Sequence, residues 1–194
     1  IQEALSHVDY KNVQLDGTTV TLLDPQASID LGGIAKGYIA DRLRDYLVSE
    51  GCDSALINLG GNILTVGEKP DGSAFRVGIR KPFSESDKQL ETVVCKDRSV
   101  VTSGTYERYF EQDGKRYHHI LNPADGYPVE NGLASVTILS PASTDADALS
   151  TACFVLGPEK GLELIETLDG IEALFVTDEL EEIASSGFTA YTIS

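Results

Sequence analysis

The chain has 194 residues, 41% of them apolar and 24% charged, a composition that suits one large folded domain or two small ones and excludes a disordered chain. Its formal charge of −16 argues against a nucleic acid as partner, because the 15 Lys and Arg residues are scattered and form no basic stripe. A polyanionic ligand would need a divalent cation or a helix N-terminus to offset this charge. No run of 18 apolar residues is present that would suit a membrane span.

The first quarter of the chain predicts strands, then a glycine turn, then a helix. Alternating apolar residues on both sides of Asp16-Gly17 indicate two short strands joined by a turn. Residues 29–31 resemble a strand that leads into Gly32-Gly33. From residue 34 the apolar residues recur at helical spacing, and Gly51 is a suitable end for that helix.

Strands dominate the remainder of the chain. Gly, Pro and Asp-Gly turns separate apolar runs at residues 55–59, 63–66, 75–79, 92–95, 100–102, 133–139, 173–176 and 183–184. Residues 106–110 and 117–121 flank Asp113-Gly114 and predict a hairpin, and 81–88 predict a polar surface loop. Helices are expected at 147–156 and 159–168. Because runs of strands stand between the helices, we expect an α+β fold with mixed or antiparallel strands and a few packed helices.

The glycine turn is the first candidate site. Gly32-Gly33 would let backbone N–H groups approach a phosphate at a helix N-terminus, and Lys36 in the first turn could reach that anion. The spacing matches neither the Rossmann nor the P-loop fingerprint. A tight turn followed by a surface lysine explains the pattern equally simply.

Two further segments carry polar side chains beside turns. In residues 101–108, small hydroxyl residues precede Arg108 and could donate hydrogen bonds to a phosphate or a flavin edge, although a plain turn with a solvated arginine is as compatible. His118 and His119 are adjacent on a predicted strand, so at most one of them faces any given site. A satisfied surface or core histidine is the simpler alternative to a catalytic one.

Asp147 and Thr151 are four residues apart on a predicted helix. They therefore share a face, with Ser150 nearby, and could share an oxygen-ligated cation such as Mg²⁺. Helix capping by Thr144 or Asp145, with Asp147 complementing the helix dipole, is the alternative. Spacing alone leaves both interpretations open.

Five ordered motifs resemble those of the ApbE family, the FAD:protein FMN transferases. They are IDLGGIAKGYIADRL (29–43), LINLGGNI (56–63), VTSGTYERYF (101–110), RYHHILNPADGYPV (116–129) and DADALSTACFVLGPEKGLELIE (145–166). The resemblance implies a single ApbE-like domain over residues 1–194, about the C-terminal two-thirds of the family's usual length. It also implies Mg²⁺-dependent transfer of FMN from FAD, as substrate, to a Thr or Ser hydroxyl of a target flavoprotein, with release of AMP.

The resemblance carries roles onto individual residues. Asp147, Thr151 and the carbonyl of Gly33 match the family's metal ligands, and His119 matches the candidate general base. The residues implied for the FAD site are Asp30, Lys36, Ile120, Ser103 and Arg108. Ser150 stands where some members carry a second carboxylate, which favours one metal over two, and Asn122 replaces the commoner aspartate.

Two alternatives accompany this expectation: an Mg²⁺-dependent FAD pyrophosphatase that gives FMN and AMP, and a flavin-binding domain without turnover. The resemblance further implies an extracytoplasmic location at the bacterial cell membrane, periplasmic or lipoprotein-anchored, with any anchor outside this chain. A front segment that helps cradle FAD in the family is expected to precede residue 1.

Overall fold

A computed structural model describes residues 1–84 and 88–193. The helices are α1 (Gln2–Leu5), α2 (Ala35–Ser49), α3 (Ser143–Leu156) and α4 (Pro158–Glu166), with 3₁₀ turns at Tyr10–Asn12 and Phe188–Tyr191. The strands are β1 (Val13–Asp16), β2 (Thr19–Leu22), β3 (Ser54–Leu59), β4 (Asn62–Gly67), β5 (Phe75–Arg80), β6 (Gln89–Cys95), β7 (Ser99–Gly104), β8 (Tyr109–Gln112), β9 (Lys115–His118), β10 (Leu133–Ser140), β11 (Glu172–Thr177) and β12 (Glu182–Ala184).

A central antiparallel sheet organises the described residues in the strand order β12-β11-β10-β7-β4-β3. Strand pairs β1–β2, β5–β6 and β8–β9 form separate two-stranded ribbons. Every residue of β10 is buried, since this strand pairs with β7 and β11 and lies between two packed layers. The predicted α+β architecture with antiparallel strands is confirmed.

Two apolar layers cover the sheet. On one face, α3 and α4 pack through Phe154 and Ile165 against side chains of β10 and β11, including Ile138 and Phe175. On the other face, the β5–β6 ribbon packs through side chains such as Val93. Burying both faces of the central strands explains why these segments are nearly continuous apolar runs.

Several local expectations need correction. Residues 29–31 form no strand; Ile29 and Leu31 are 48% and 62% exposed. Helix α3 begins at Ser143, four residues before its predicted start at 147. The polar loop predicted at 81–88 lies partly outside the described residues.

The two glycines of the motif at 56–63 have a structural explanation. Gly60 and Gly61 both have positive φ, 62° and 94°, and form the two-residue turn between β3 and β4. This turn type requires left-handed backbone at both positions, which glycine adopts without strain. Among the described residues, no helix is long and apolar enough to cross a membrane.

Candidate functional site

Helices α2 and α3 meet at Gly37, and this contact builds the candidate site. A Cβ atom at Gly37 would lie 2.2 Å from the Ser143 carbonyl oxygen and 2.8 Å from Asp147 Cβ. Only glycine allows the two backbones to approach this closely. The approach places the first turn of α2 directly beside the first two turns of α3.

Asp147 projects from α3 into this contact. Its carboxylate accepts a hydrogen bond at Oδ2 from the Gly37 backbone N–H, at 2.8 Å, and Asp147 as a whole is 3% exposed. Lys36 Nζ lies 3.5 Å from the other oxygen, Oδ1, with a side chain that remains 43% exposed. A buried carboxylate needs such partners, because burial without them would favour the neutral acid.

Small hydroxyl groups lie next to this carboxylate. Ser103 Oγ, at the end of β7, is 2.8 Å from Ser150 Oγ and 3.2 Å from Thr151 Oγ1. Gly33 lies on the other side of Thr151, since a Cβ atom built on Gly33 would be 4.0 Å from Thr151 Oγ1. The structure therefore brings Gly33, Lys36, Ser103, Asp147 and Thr151 together, although they are up to 118 positions apart in the chain.

The donors at this place fit a hard divalent cation. Asp147 offers a carboxylate oxygen and Thr151 a hydroxyl, and Gly33 lies beside Thr151. Carboxylate, hydroxyl and backbone carbonyl oxygens are ligand types that Mg²⁺ accepts. Within residues 1–84 and 88–193, no three or more His, Cys, Asp or Glu side chains form a metal-binding group. One carboxylate with neutral oxygens suits an ion that keeps several waters and binds substrate phosphates.

The alternative that Thr144 or Asp145 caps α3 is wrong. Neither Thr144 nor Asp145 caps the helix through its side chain; the Ser143 and Thr144 N–H groups instead donate to Asp41 of α2, at 2.9 and 2.8 Å. Sequence reasoning missed Asp41. Its only signal was its position one turn after Gly37, and the groups that it caps lie 102 and 103 residues away.

The two adjacent histidines have opposite environments, although β9 ends at His118 and the strand predicted over 117–121 does not continue to His119. His118 is 8% exposed, and its ring lies edge-on to Phe154 of α3, at 5.8 Å between centroids. Its Nδ1 accepts from Ile120 N and its Nε2 donates to Val129 O, so the ring is neutral in this arrangement. Burial lowers the pKa of His118 below its ordinary value of 6.5.

His119 is exposed beside the turn that carries Arg108. Its Nδ1 lies 3.2 Å from the Arg108 carbonyl oxygen, which can only accept, so Nδ1 carries the proton in this hydrogen bond. Within the described residues Nε2 has no hydrogen-bond partner, so its lone pair is available, as a general base requires. The Arg108 side chain itself is exposed.

The remaining predicted residues have their described contacts with other groups than Asp147. Asp30 is exposed and accepts from Gly32 N at 2.6 Å, which shapes the glycine turn. The Ile120 side chain is 4% exposed and belongs to the core beneath α3. In the described part of the chain, no hydrogen bond or ion pair joins Asp30, Arg108 or His119 to Asp147. Their roles toward FAD stay predictions.

A cavity of about 490 Å³ lies on the His118 side of the β8–β9 hairpin. Its walls include Phe83, Arg116, Asn131 and Asp178, and none of the predicted site residues lines it. The chemistry expected from the motifs is therefore concentrated at the α2–α3 contact and not in this cavity.

Comparisons with known proteins agree with this arrangement of motifs. A sequence model described as the ApbE family matches residues 1–175. The chain belongs to the ApbE family. A protein named FAD:protein FMN transferase from Klebsiella pneumoniae is 50% identical over 178 residues, which cover 91% of this chain and 54% of that protein. A protein of the same name from Treponema pallidum is 43% identical over 202 residues, covering 96% of this chain and 56% of the relative.

Solved structures of ApbE proteins share the fold. The ApbE protein of Thermotoga maritima matches with a TM-score of 0.89 and 38% identity, covering all of this chain and 63% of that one. The apo flavinyl transferase ApbE of Pseudomonas stutzeri matches with a TM-score of 0.84 and 37% identity, covering 98% and 59%. This ApbE-family chain thus spans between half and two-thirds of the length of these relatives.

Proposed function

We propose that the protein containing this chain transfers FMN from FAD to a Thr or Ser hydroxyl of an acceptor flavoprotein and releases AMP. The reaction depends on Mg²⁺ held by Asp147, Thr151 and the Gly33 carbonyl. The observation that carries the proposal is the convergence of a buried carboxylate, hydroxyls and a lysine at the start of α2. The names of the relatives supply the reaction class.

The first turn of α2 supports binding of a diphosphate. The dipole of a helix favours anions at its N-terminus, and Lys36 adds a positive charge at the same place. This local positive potential matters in a chain with a formal charge of −16. Mg²⁺, when bound, would neutralise charge on the diphosphate and polarise its phosphorus–oxygen bonds.

His119 is the proposed general base. With its Nδ1 proton held by the Arg108 carbonyl, Nε2 would accept the proton of the acceptor hydroxyl. The hydroxyl oxygen then forms a bond to the phosphorus of the FMN half. The bond from that phosphorus to the bridging oxygen breaks, and the bridging oxygen leaves with AMP. Flavin becomes attached to the acceptor through a phosphoester, without any redox change.

A variant at His119 tests the base. We expect His119→Gln to lower the rate of flavin attachment to an acceptor protein by about 10²- to 10⁴-fold, the usual contribution of a general base. Attachment is measured by the fluorescence of the acceptor band after denaturing electrophoresis, with AMP measured in parallel. His118→Gln serves as the matched control, since His118 faces the core.

Three results would contradict parts of this proposal. If His119→Gln attaches flavin to the acceptor at the unaltered rate, His119 is not the general base. AMP and free FMN formed at the same rate with and without acceptor would favour a pyrophosphatase. Flavin binding without any AMP release by the unaltered full-length protein would indicate a binding domain.

A further inference from the structure

Asp41 is a second buried carboxylate at the α2–α3 contact, and the proposed reaction does not use it. It is 8% exposed, and its oxygens accept hydrogen bonds from Ser143 N (2.9 Å), Thr144 N (2.8 Å) and Thr144 Oγ1 (2.6 Å). The two N–H groups belong to the first turn of α3, where an isolated helix leaves its donors unpaired. Asp41 therefore caps α3 from another helix.

The capping is reciprocal. Asp147 of α3 accepts from the N–H of Gly37, which is the third residue of α2, so it caps α2 in return. On α2, Gly37 and Asp41 are four residues apart, and on α3 Ser143 and Asp147 have the same spacing. Helix α2 thus offers one backbone N–H group and α3 offers two, and each helix carries, one turn later, the carboxylate that caps the other. We call these four residues the capping clamp.

The charge of Asp41 is balanced inside the protein. Arg44 Nη1 lies 3.3 Å from Asp41 Oδ1 and also donates to the Pro141 carbonyl, at 3.1 Å, just before α3 begins. Asp41 is therefore tied to α3 and to the segment that leads into it, and none of these bonds requires a ligand.

We propose that Asp41 is a positioning residue for Asp147, so that the capping clamp sets the metal affinity of the site. This inference rests on the proposed function, because it takes Asp147 to be a metal ligand. When Asp41 no longer holds the first turn of α3, Asp147 one turn later is no longer fixed relative to Gly37 and Thr151. The second bond of the clamp weakens although neither of its partners is altered.

Metal binding gives the first test. In titrations of the full-length protein with Mn²⁺, followed by electron paramagnetic resonance, we expect Asp41→Asn to raise the dissociation constant about tenfold. That is the lower range for loss of a group that supports a metal ligand. Asp145→Asn is the matched control, because it also removes one carboxylate charge beside the first turn of α3, but at an exposed position. It should leave the constant within about twofold of the unaltered protein.

Amide hydrogen exchange gives the second test, because it distinguishes a cap that acts only on α3 from one that also affects α2. If Asp41 only capped α3, its replacement would speed exchange at Ser143 and Thr144 alone. The capping clamp predicts that exchange at Gly37 in α2 also becomes faster, by a comparable factor. Thr144→Val removes only the hydroxyl bond, and it should change exchange at Gly37 in the same direction by less. This milder variant covers the case in which Asp41→Asn does not fold.

The possible outcomes distinguish a failure of the capping clamp from a failure of the proposed function. Unchanged exchange at Gly37, or unchanged Mn²⁺ binding in a folded Asp41 variant, would overturn the inference. If the unaltered protein binds no Mn²⁺ or releases no AMP from FAD, the metal site or the reaction proposed above is wrong. In that case the exchange rate at Gly37 still decides whether Asp41 positions Asp147.

Discussion

His118 and His119 differ in every respect that matters chemically, although they are neighbours in the chain. His118 has both ring nitrogens bonded to backbone groups and lies against Phe154, whereas His119 is exposed with one nitrogen bonded. A protonated His118 would lose the hydrogen bond from Ile120 N and would place a charge beside the core. His118 therefore supports the fold in its neutral form, and the exposed His119 is the one that we propose as the general base.

The burial of His118 predicts a pH dependence of stability. Because burial lowers its pKa in the folded protein, the unfolded chain binds more protons between that lowered value and the ordinary value near 6.5. Its stabilising contribution is complete above pH 6.5 and is lost as pH falls through the folded pKa. The slope from one proton cannot exceed about 1.4 kcal/mol per pH unit.

Urea unfolding at several pH values between 8 and 5 measures this contribution. We expect the free energy of unfolding to fall less steeply toward acid pH in His118→Gln than in the unaltered protein. His119→Gln is measured beside it as a comparison variant, since it removes a neighbouring but exposed ring. Equal slopes in all three proteins would mean that His118 titrates normally when folded.

At the scale of elements, the site depends on how closely α2 and α3 approach. Gly37 sets that distance, because a side chain there would collide with the Ser143 carbonyl and with Asp147 Cβ. The carbonyl belongs to the backbone and cannot move aside without shifting α3. Helix packing and site geometry are thus controlled by the same contact.

Gly37→Ala should therefore affect both stability and metal binding. We expect a loss of about 1–3 kcal/mol in the free energy of unfolding, as is usual for overpacking a well-filled contact, together with weaker Mn²⁺ binding. Gly161→Ala is the matched control: its Cβ would lie 2.8 Å from Phe175 Cε1 and 3.0 Å from the Cys153 carbonyl oxygen, near the C-terminal end of α3 and not at the contact with α2. It should lower stability without changing metal affinity. If Gly37→Ala binds Mn²⁺ as tightly as Gly161→Ala, the α2–α3 spacing does not determine the metal affinity of the site.

Element boundaries also show what local sequence can and cannot predict. The spacing of apolar residues placed α2 and the β1–β2 turn correctly, because their periodicity and turn residues are local. The start of α3 was missed, since its cap comes from Asp41, 102 residues earlier. The strand expected at residues 29–31 does not form. Its apolar residues suit a strand, but its backbone has no neighbouring strand in the described structure.

For the whole molecule, the antiparallel sheet brings distant motifs to one place. Ser103 ends β7, and α3 packs directly on β7 and β10, so Ser103 reaches Ser150 and Thr151. The i, i+4 spacing predicted that Asp147 and Thr151 share a face, and the motif order predicted the family. Neither predicted the pairing of Asp147 with Gly37, because that contact joins residues 110 positions apart.

We propose that Asp147 makes FAD cleavage depend on a divalent cation. The most direct measurement is AMP release from FAD by the full-length protein with an acceptor, over a series of Mg²⁺ concentrations, for Asp147→Asn and for the exposed-site control Asp145→Asn. We predict that Asp145→Asn retains the Mg²⁺ dependence of the unaltered protein. Asp147→Asn should lose at least about tenfold in apparent Mg²⁺ affinity, as expected when a ligand is lost. If folded Asp147→Asn keeps the Mg²⁺ dependence of the unaltered protein, Asp147 does not hold the metal that the reaction requires.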